Sequence, residues 1–182
     1  MNFQFKVNIN DQDYLDYNMF YITRSPYGKK LSNAVRIIAT ALFAITILIY
    51  LYSGNFTVES FLCIMPMLII LLITQIFFIK FYSWSLKSHI KSLKRSGERL
   101  YSPESVIEFF DDIFIETTPD NKTEQKYSVI DRVSIVDNNM IYIHINRVMA
   151  YMLPLSCFES KELYDNFLRF LETKCSNINI YK

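Results

Sequence analysis

His144 and Cys157 are the residues of this chain whose types suit nucleophilic catalysis, an imidazole standing ready to take a thiol proton. Strand neighbours far apart in sequence meet in space, so the separation allows the pairing. Nothing local activates the thiol, however, and the apolar Phe158 beside Cys157 favours an inward, packed position. Asp111 and Asp112 offer two carboxylates, but adjacent turn residues point apart, and turn chemistry explains them better than acid–base catalysis. Gly28, Gly54 and Gly97 are all isolated, which excludes the glycine-rich loops that bring backbone N–H groups against phosphate. His89 and His144 are the two histidines, neither at a recognisable ligand spacing from a cysteine or carboxylate, so no metal site and no cofactor is expected. An enzyme using His144 or Cys157 is the last-ranked reading, and the expectation is a protein that is not an enzyme.

The elements that must position these residues divide around two uncharged apolar stretches, Ile37 to Val58 and Ser60 to Ile79, separated by Glu59. Each approaches the roughly 20 helical residues that cross a bilayer core. Arg24, Lys29, Lys30 and Arg36 precede the first stretch, Lys80, Lys87, Lys91, Lys94, Arg95 and Arg99 follow the second, and the connecting loop Ser53–Glu59 has no cation. That asymmetry predicts a transmembrane hairpin with spans at about 35–55 and 60–80 and both termini in the cytoplasm. Tyr50, Tyr52, Tyr82 and Trp84 stand where amphipathic rings favour the headgroup region. Thr40, Thr46, Thr74 and Gln75 are the main polar groups of the spans, and no ionisable residue lies deep in either, which argues for anchoring rather than transport. Cys63 falls in the second span; Cys157 and Cys175, in a reducing compartment, are expected to be free thiols.

Before the hairpin, Phe3, Phe5, Val7 and Ile9 alternate with polar residues as in a half-buried strand. Asp11 is placed to cap a helix reaching about Ile22, with Leu15, Met19 and Ile22 on one side, and Ser25-Pro26-Tyr27-Gly28 ends it. So short a segment cannot bury a core of its own. After the second span the helix continues to about Arg95. Tyr82, Leu86, Ile90 and Leu93 form an apolar stripe, and Lys80, Lys87, Lys91 and Lys94 an adjacent basic one; with Arg95 these are the candidate contacts to anionic lipid, though such charges also serve to fix orientation.

Residues 104–182 read as strands closed by a helix. Ser105 to Phe110 and Ile113 to Thr118 join at Asp111-Asp112, Pro119–Lys122 marks a turn, and Tyr127 to Val136 is strand. Asp137-Asn138-Asn139 suits left-handed backbone; the strand through Ile141, Ile143 and Ile145 is followed by another at Val148 to Leu153, stopped by Pro154. Tyr142, His144 and Asn146 alternate with the isoleucines, which predicts a polar, solvent-exposed face open to a partner. Ser160 is placed to cap a final helix bearing Leu163, Phe167, Phe170 and Leu171 on one side.

A strand meander closed by an amphipathic helix resembles the pleckstrin-homology-like arrangement. Asp13-Tyr14-Leu15, the two-span insert, Phe110-Asp111-Asp112-Ile113, Tyr127 to Val133 and Leu153-Pro154-Leu155-Ser156-Cys157-Phe158 together resemble the bacterial YcxB-like protein family, in order along nearly the whole chain. Two departures are the missing glycine after Asp112 and Leu155 in place of a basic residue after the proline. The resemblance implies a membrane-anchored cytoplasmic domain without established catalytic activity.

The expected fold class is an α+β membrane protein: a transmembrane helical hairpin, 31–99, inserted into a pleckstrin-homology-like antiparallel sheet domain built from residues 1–30 and 100–182 and closed by a C-terminal helix. It is placed in the bacterial inner membrane, with membrane lipids and an unidentified protein as partners, self-association open, and no nucleic acid, since the thirteen tyrosines are not interleaved with basic residues. The expected function is non-catalytic binding or scaffolding. Immunity against a membrane-active bacteriocin or toxin is the alternative, resting on fold-level analogy.

Overall fold

The computed structural model describes residues 2–52, 58–98, 100–137 and 139–182, without the side chains of residues 59–61 and 63. The expectations for the loop residues 53–57, for Arg99, for Asn138 and for the Cys63 side chain lie outside the described residues. The chain divides into two compact units, Met1–Tyr14 with Arg99–Lys182, and Leu15–Glu98.

The first unit is built on two four-stranded sheets. β1 (Phe3–Asn8), β2 (Glu104–Phe109), β3 (Ile113–Thr117) and β4 (Lys122–Lys126) form the first, in that order and antiparallel throughout. The N-terminal strand thus finds its neighbour beyond the apolar segments, Phe3 facing Phe109 and Asn8 facing Glu104. The second sheet has the order β7-β6-β5-β8, from β5 (Arg132–Val136), β6 (Met140–His144), β7 (Ala150–Pro154) and β8 (Ile178–Tyr181). Its last strand follows the C-terminal helix α4 (Lys161–Lys174) and runs parallel to β5, so this sheet is mixed and the chain closes on a strand, not on the helix expected.

One aromatic core joins both sheets and α4. Phe3, Phe5 and Val7 share the buried face of β1 and, with Ile9 just past its end, meet Ile107, Phe109, Phe114, Val133, Ile135, Ile141, Ile143 and Leu153, with Phe167 and Leu171 of α4. Phe5 lies at the centre, its ring 4.6 Å from that of Phe158 and 4.8 Å from that of Phe167. Ser160 caps α4 as its position requires, its side chain accepting from the Leu163 amide at 3.1 Å. Lys174, in the last turn, extends over the rings of Tyr127 and Phe170.

Several boundaries differ from those read in sequence, each for a local reason. β4 consists of Lys122-Thr123-Glu124-Gln125-Lys126 and carries no apolar signal; its charges suit an exposed sheet edge. The strand expected from Tyr127 is broken by a 3-10 turn at Tyr127–Val129, where the phenol donates to the Phe110 carbonyl at 2.7 Å. β7 starts at Ala150 because the Asn146 side chain accepts from the amides of Val148 and Met149 and holds them in a turn. Asp137 has the left-handed backbone expected of its turn, with φ of 49°.

Helix α1 (Asp11–Thr23) crosses the boundary between the units. Asn10, not Asp11, caps it: its side chain accepts from the amides of Gln12 and Asp13 while the Asp13 carboxylate takes the Asn10 amide, a reciprocal capping box. Asp11 instead accepts a hydrogen bond from the Tyr101 hydroxyl.

In the second unit, the interruption after α1 is shorter than expected. Pro26 is already the first residue of α2 (Pro26–Tyr52), a position where its missing N–H costs nothing, and Gly28 lies inside the helix. A Cβ on Gly28 would fall 1.8 Å from the Tyr21 carbonyl oxygen, so only glycine permits this approach of α2 to α1. Helix α3 (Val58–Ser96) ends where the sequence places it: Gly97 has φ of 81°, the Glu98 amide donates to the Leu93 carbonyl and the Gly97 amide to that of Lys94, which is a Schellman termination. Both long helices are apolar and long enough to cross a membrane, and their apolar windows are almost entirely unburied within the chain.

Candidate functional site

The second sheet has two faces, set by the alternation of its strands. Val133, Ile135, Ile141 and Ile143 point into the aromatic core, so Arg132, Ser134, Tyr142 and His144 stand on the opposite face. That face is not the exposed partner surface expected for Tyr142, His144 and Asn146. Tyr142 is 2% exposed and His144 fully buried, because β5 and β6 are covered on both sides; Asn146 alone is exposed, past the end of β6.

The buried polar residues form a connected group. Register places Arg132 directly across from His144 and Ser134 across from Tyr142. Arg132 Nη2 lies 3.2 Å from His144 Nδ1, Ser134 Oγ lies 3.2 Å from His144 Nε2, and Arg132 Nη1 donates to Asp131 Oδ2 at 2.6 Å. A guanidinium only donates, so His144 Nδ1 must be the accepting nitrogen and the ring proton must sit on Nε2, where it is donated to Ser134. Burial, reinforced by the positive charge of Arg132, lowers the His144 pKa to about 3 and keeps the ring neutral.

This direction of donation decides what the group can do. A histidine that activates a serine accepts the hydroxyl proton; His144 gives its own proton to Ser134 and has no lone pair facing it. The arrangement holds a charge and two polar side chains inside a sheet. It does not generate a nucleophile.

Cys157 lies in a 3-10 turn after β7 and packs against the aromatic core, the side of β6 that carries Ile143, whereas His144 points to the other side. Burial pushes its thiol up to about 11, opposite to the shift of an activated cysteine. Cys157 and Cys175 are free thiols. Asp111 and Asp112 are exposed in the β2–β3 turn, closed by the Phe110 amide donating to the Ile113 carbonyl at 2.9 Å. Among the described residues no cluster of three or more His, Cys, Asp or Glu side chains comes together as a metal site would require.

In the second unit, Lys80, Lys87, Lys91, Lys94 and Arg95 are all exposed along α3, while Tyr82, Leu86, Ile90 and Leu93 are half-buried. Between α2 and α3, the Gln75 side-chain amide donates to the Arg36 carbonyl and to the Thr40 hydroxyl, both at 3.3 Å, and the Arg36 guanidinium stacks 5.3 Å above the Phe78 ring. The hydroxyls of Thr40, Thr46 and Thr74 are satisfied by carbonyls of their own helices.

The segment that carries β3 to β7 and most of α4 also has a family signature. Residues 109–171 match the model of the YcxB-like protein family. The YcxB-like segment contains the β2–β3 turn at Phe110–Ile113, the Tyr127–Val133 stretch and the Leu153–Phe158 motif, together with the Arg132, Ser134 and His144 group. Asp13-Tyr14-Leu15 and the apolar helices lie outside it, so the match is narrower than the resemblance read along the chain. No curated protein and no solved structure matches the chain.

Sequence reasoning missed Arg132 and Ser134 as members of the polar group. The available signal was their period: Arg132, Ser134 and Val136 alternate with Val133 and Ile135, so any strand here places the two polar side chains on one face.

Proposed function

We propose that the chain is a two-span membrane protein whose sheet-containing unit is a non-catalytic binding or scaffolding module on the cytoplasmic side. One observation carries this reading: more than twenty large apolar side chains of α2 and α3 are exposed. Leaving such a side chain in water forgoes about 1.5–3 kcal/mol, and the sum exceeds the roughly 5–15 kcal/mol that stabilises a whole domain. Those surfaces need an apolar medium. α2 spans about 40 Å and α3 about 58 Å at 1.5 Å per residue, both more than a hydrocarbon core of about 30 Å. The excess is where most of the cations lie: Lys29 and Lys30 on α2, and Lys80, Lys87, Lys91, Lys94 and Arg95 on α3. This supports an orientation with both termini in the cytoplasm.

The binding reading is supported by the polar group at His144, which is oriented to satisfy buried groups, and by the raised thiol of Cys157. Two packed sheets with a helix beside their shared core are consistent with a pleckstrin-homology-like arrangement, with the parallel β8 as an addition. The test is fractionation and topology in cells. The chain is expected to stay with membranes after alkaline extraction, and a reporter active only in the cytoplasm is expected to work when fused after Lys182. Recovery in the soluble fraction, or activity of an exterior reporter at that position, overturns the reading.

A further inference from the structure

At 3.6 residues per turn, Phe77, Lys80, Phe81, Trp84, Lys87, Lys91, Lys94 and Arg95 fall within an arc of roughly 140° on α3, opposite Tyr82, Leu86, Ile90 and Leu93. The two sides differ in burial as well as in chemistry. Tyr82, Leu86, Ile90 and Leu93 are half-buried, whereas Phe81 and Trp84 are each 65% exposed and the cations around them are exposed too. Along this exposed face the rings of Phe81 and Trp84 lie 5.7 Å apart, and Lys80 Nζ sits 5.6 Å from the centre of the Phe77 ring.

The order along the axis is apolar, aromatic, then basic. With Trp84 at the level of the headgroups and the helix leaving along the bilayer normal, Lys87 stands about 5 Å and Lys91 about 10 Å further out, within one Debye length. Lys80 lies about 6 Å deeper, within reach of the interface by extending its stem. Lys94 and Arg95, about 15 Å beyond Trp84, have another explanation as last-turn cations at a helix C-terminus. From Lys80 to Ser96 the helix has no carboxylate to neutralise the remaining three.

We propose that Lys80, Lys87 and Lys91, with Trp84 between them, form a surface that gathers anionic phospholipid headgroups around α3. This rests on the membrane reading above and adds to it a lipid class and the side chains that select it. The occupant is argued from charge complementarity and from the continuity of this face with the apolar span. Such an arrangement enriches anionic lipid beside the helix independently of any role the same lysines have in setting orientation.

Trp84 is the single tryptophan of the chain and so reports its own lipid neighbours. The full-length protein is reconstituted in nanodiscs of equimolar anionic and zwitterionic phospholipid, with one or the other brominated, and Trp84 quenching is measured. Both leaflets are equivalent in a nanodisc, which removes orientation as a variable. Quenching by the brominated anionic lipid is expected to correspond to about fivefold enrichment. It should fall to parity in the Lys80→Gln, Lys87→Gln, Lys91→Gln variant, and for the unaltered protein on raising salt, a control independent of that variant's folding. Equal quenching by the two lipids in the unaltered protein at low salt overturns the proposal, leaves the anchoring reading intact, and frees this face for an acidic protein. Persistence of the enrichment in the folded triple variant also overturns it. Absence of quenching by either lipid overturns both readings.

Discussion

Truncating Phe5 to alanine tests whether the first residues of the chain belong to the core assembled mainly from its last eighty. Phe5 is 1% exposed, and its ring meets those of Phe3, Phe109, Phe158 and Phe167, which belong to β1, β2, the segment after β7, and α4. Removing a ring so enclosed costs about 3–5 kcal/mol, because the cavity is walled by four other aromatics and by strands that cannot collapse inward. At tenfold per 1.4 kcal/mol, amides that exchange through global opening of this unit should exchange roughly a hundred to a few thousand times faster. The assay is hydrogen exchange on the full-length protein in detergent, followed at β5 and β6, strands that do not pair with β1. Gln4→Ala is the control: its side chain is exposed and donates to the half-buried Glu108 carboxylate at 3.2 Å, so the change should stay within about 0.5 kcal/mol. Unchanged protection of β5 and β6 in Phe5→Ala would show β1 to be a peripheral strap and refute the shared core.

Further expectations concern the buried polar group and the thiol. Since His144 titrates near 3 in the folded chain against an ordinary value of 6.5, its contribution to stability is undiminished above pH 6.5 and is lost progressively as pH falls toward 3; His144→Asn, compared across that window by denaturation, should flatten this part of the profile. A nitrogen-detected NMR spectrum should place the His144 proton on Nε2 at neutral pH, and a proton on Nδ1 would refute the assigned direction of the Ser134 contact. Arg132→Met should destabilise the unit by about 1–3 kcal/mol, read by the same exchange experiment, because it leaves His144 Nδ1 buried without this donor, whereas Asp131, 37% exposed, is hydrated instead. Cys157 should alkylate slowly at pH 7, where a thiol titrating near 11 is about one part in ten thousand thiolate, and the rate should climb about tenfold per pH unit; mass spectrometry of iodoacetamide adducts checks this.

Legibility followed how local each signal was. The apolar helices, the Schellman end at Gly97, the Ser160 cap and the alternation of β1 are each encoded in contiguous residues, and all are present in the structure. β8 pairs in parallel with a strand more than forty residues earlier, and nothing within Ile178–Tyr181 announces that partner. β4 has the composition of a loop, yet backbone pairing with β3 suffices to hold Lys122–Lys126 extended at an edge. Asn10 and Asp11 are both good capping residues, and the choice between them was made by Tyr101, ninety positions away, which takes Asp11.

Tyr142 and His144 are buried on a face whose alternation predicts exposure. Alternation states that a strand has two kinds of face, and water is the usual reason for the polar one. β6 has the alternation without the water: Ile141 and Ile143 enter the aromatic core while Tyr142 and His144 are buried on the other side. Such a face is tolerable only when its polar groups answer one another across strands, since an unpartnered buried donor or acceptor costs about 1–3 kcal/mol. Their partners, Arg132 and Ser134, lie on β5 opposite and diagonal to His144, beyond any window on β6 alone. Arg132 gives the histidine a donor, thereby fixes the proton on Nε2, and so supplies Ser134 with its own donor, all from one cross-strand position. The same logic separates this group from a catalytic pair: burial, reinforced by the Arg132 charge, suppresses the protonation that base catalysis by His144 would need, and the Arg132 donation to Nδ1 reverses the hydrogen bond.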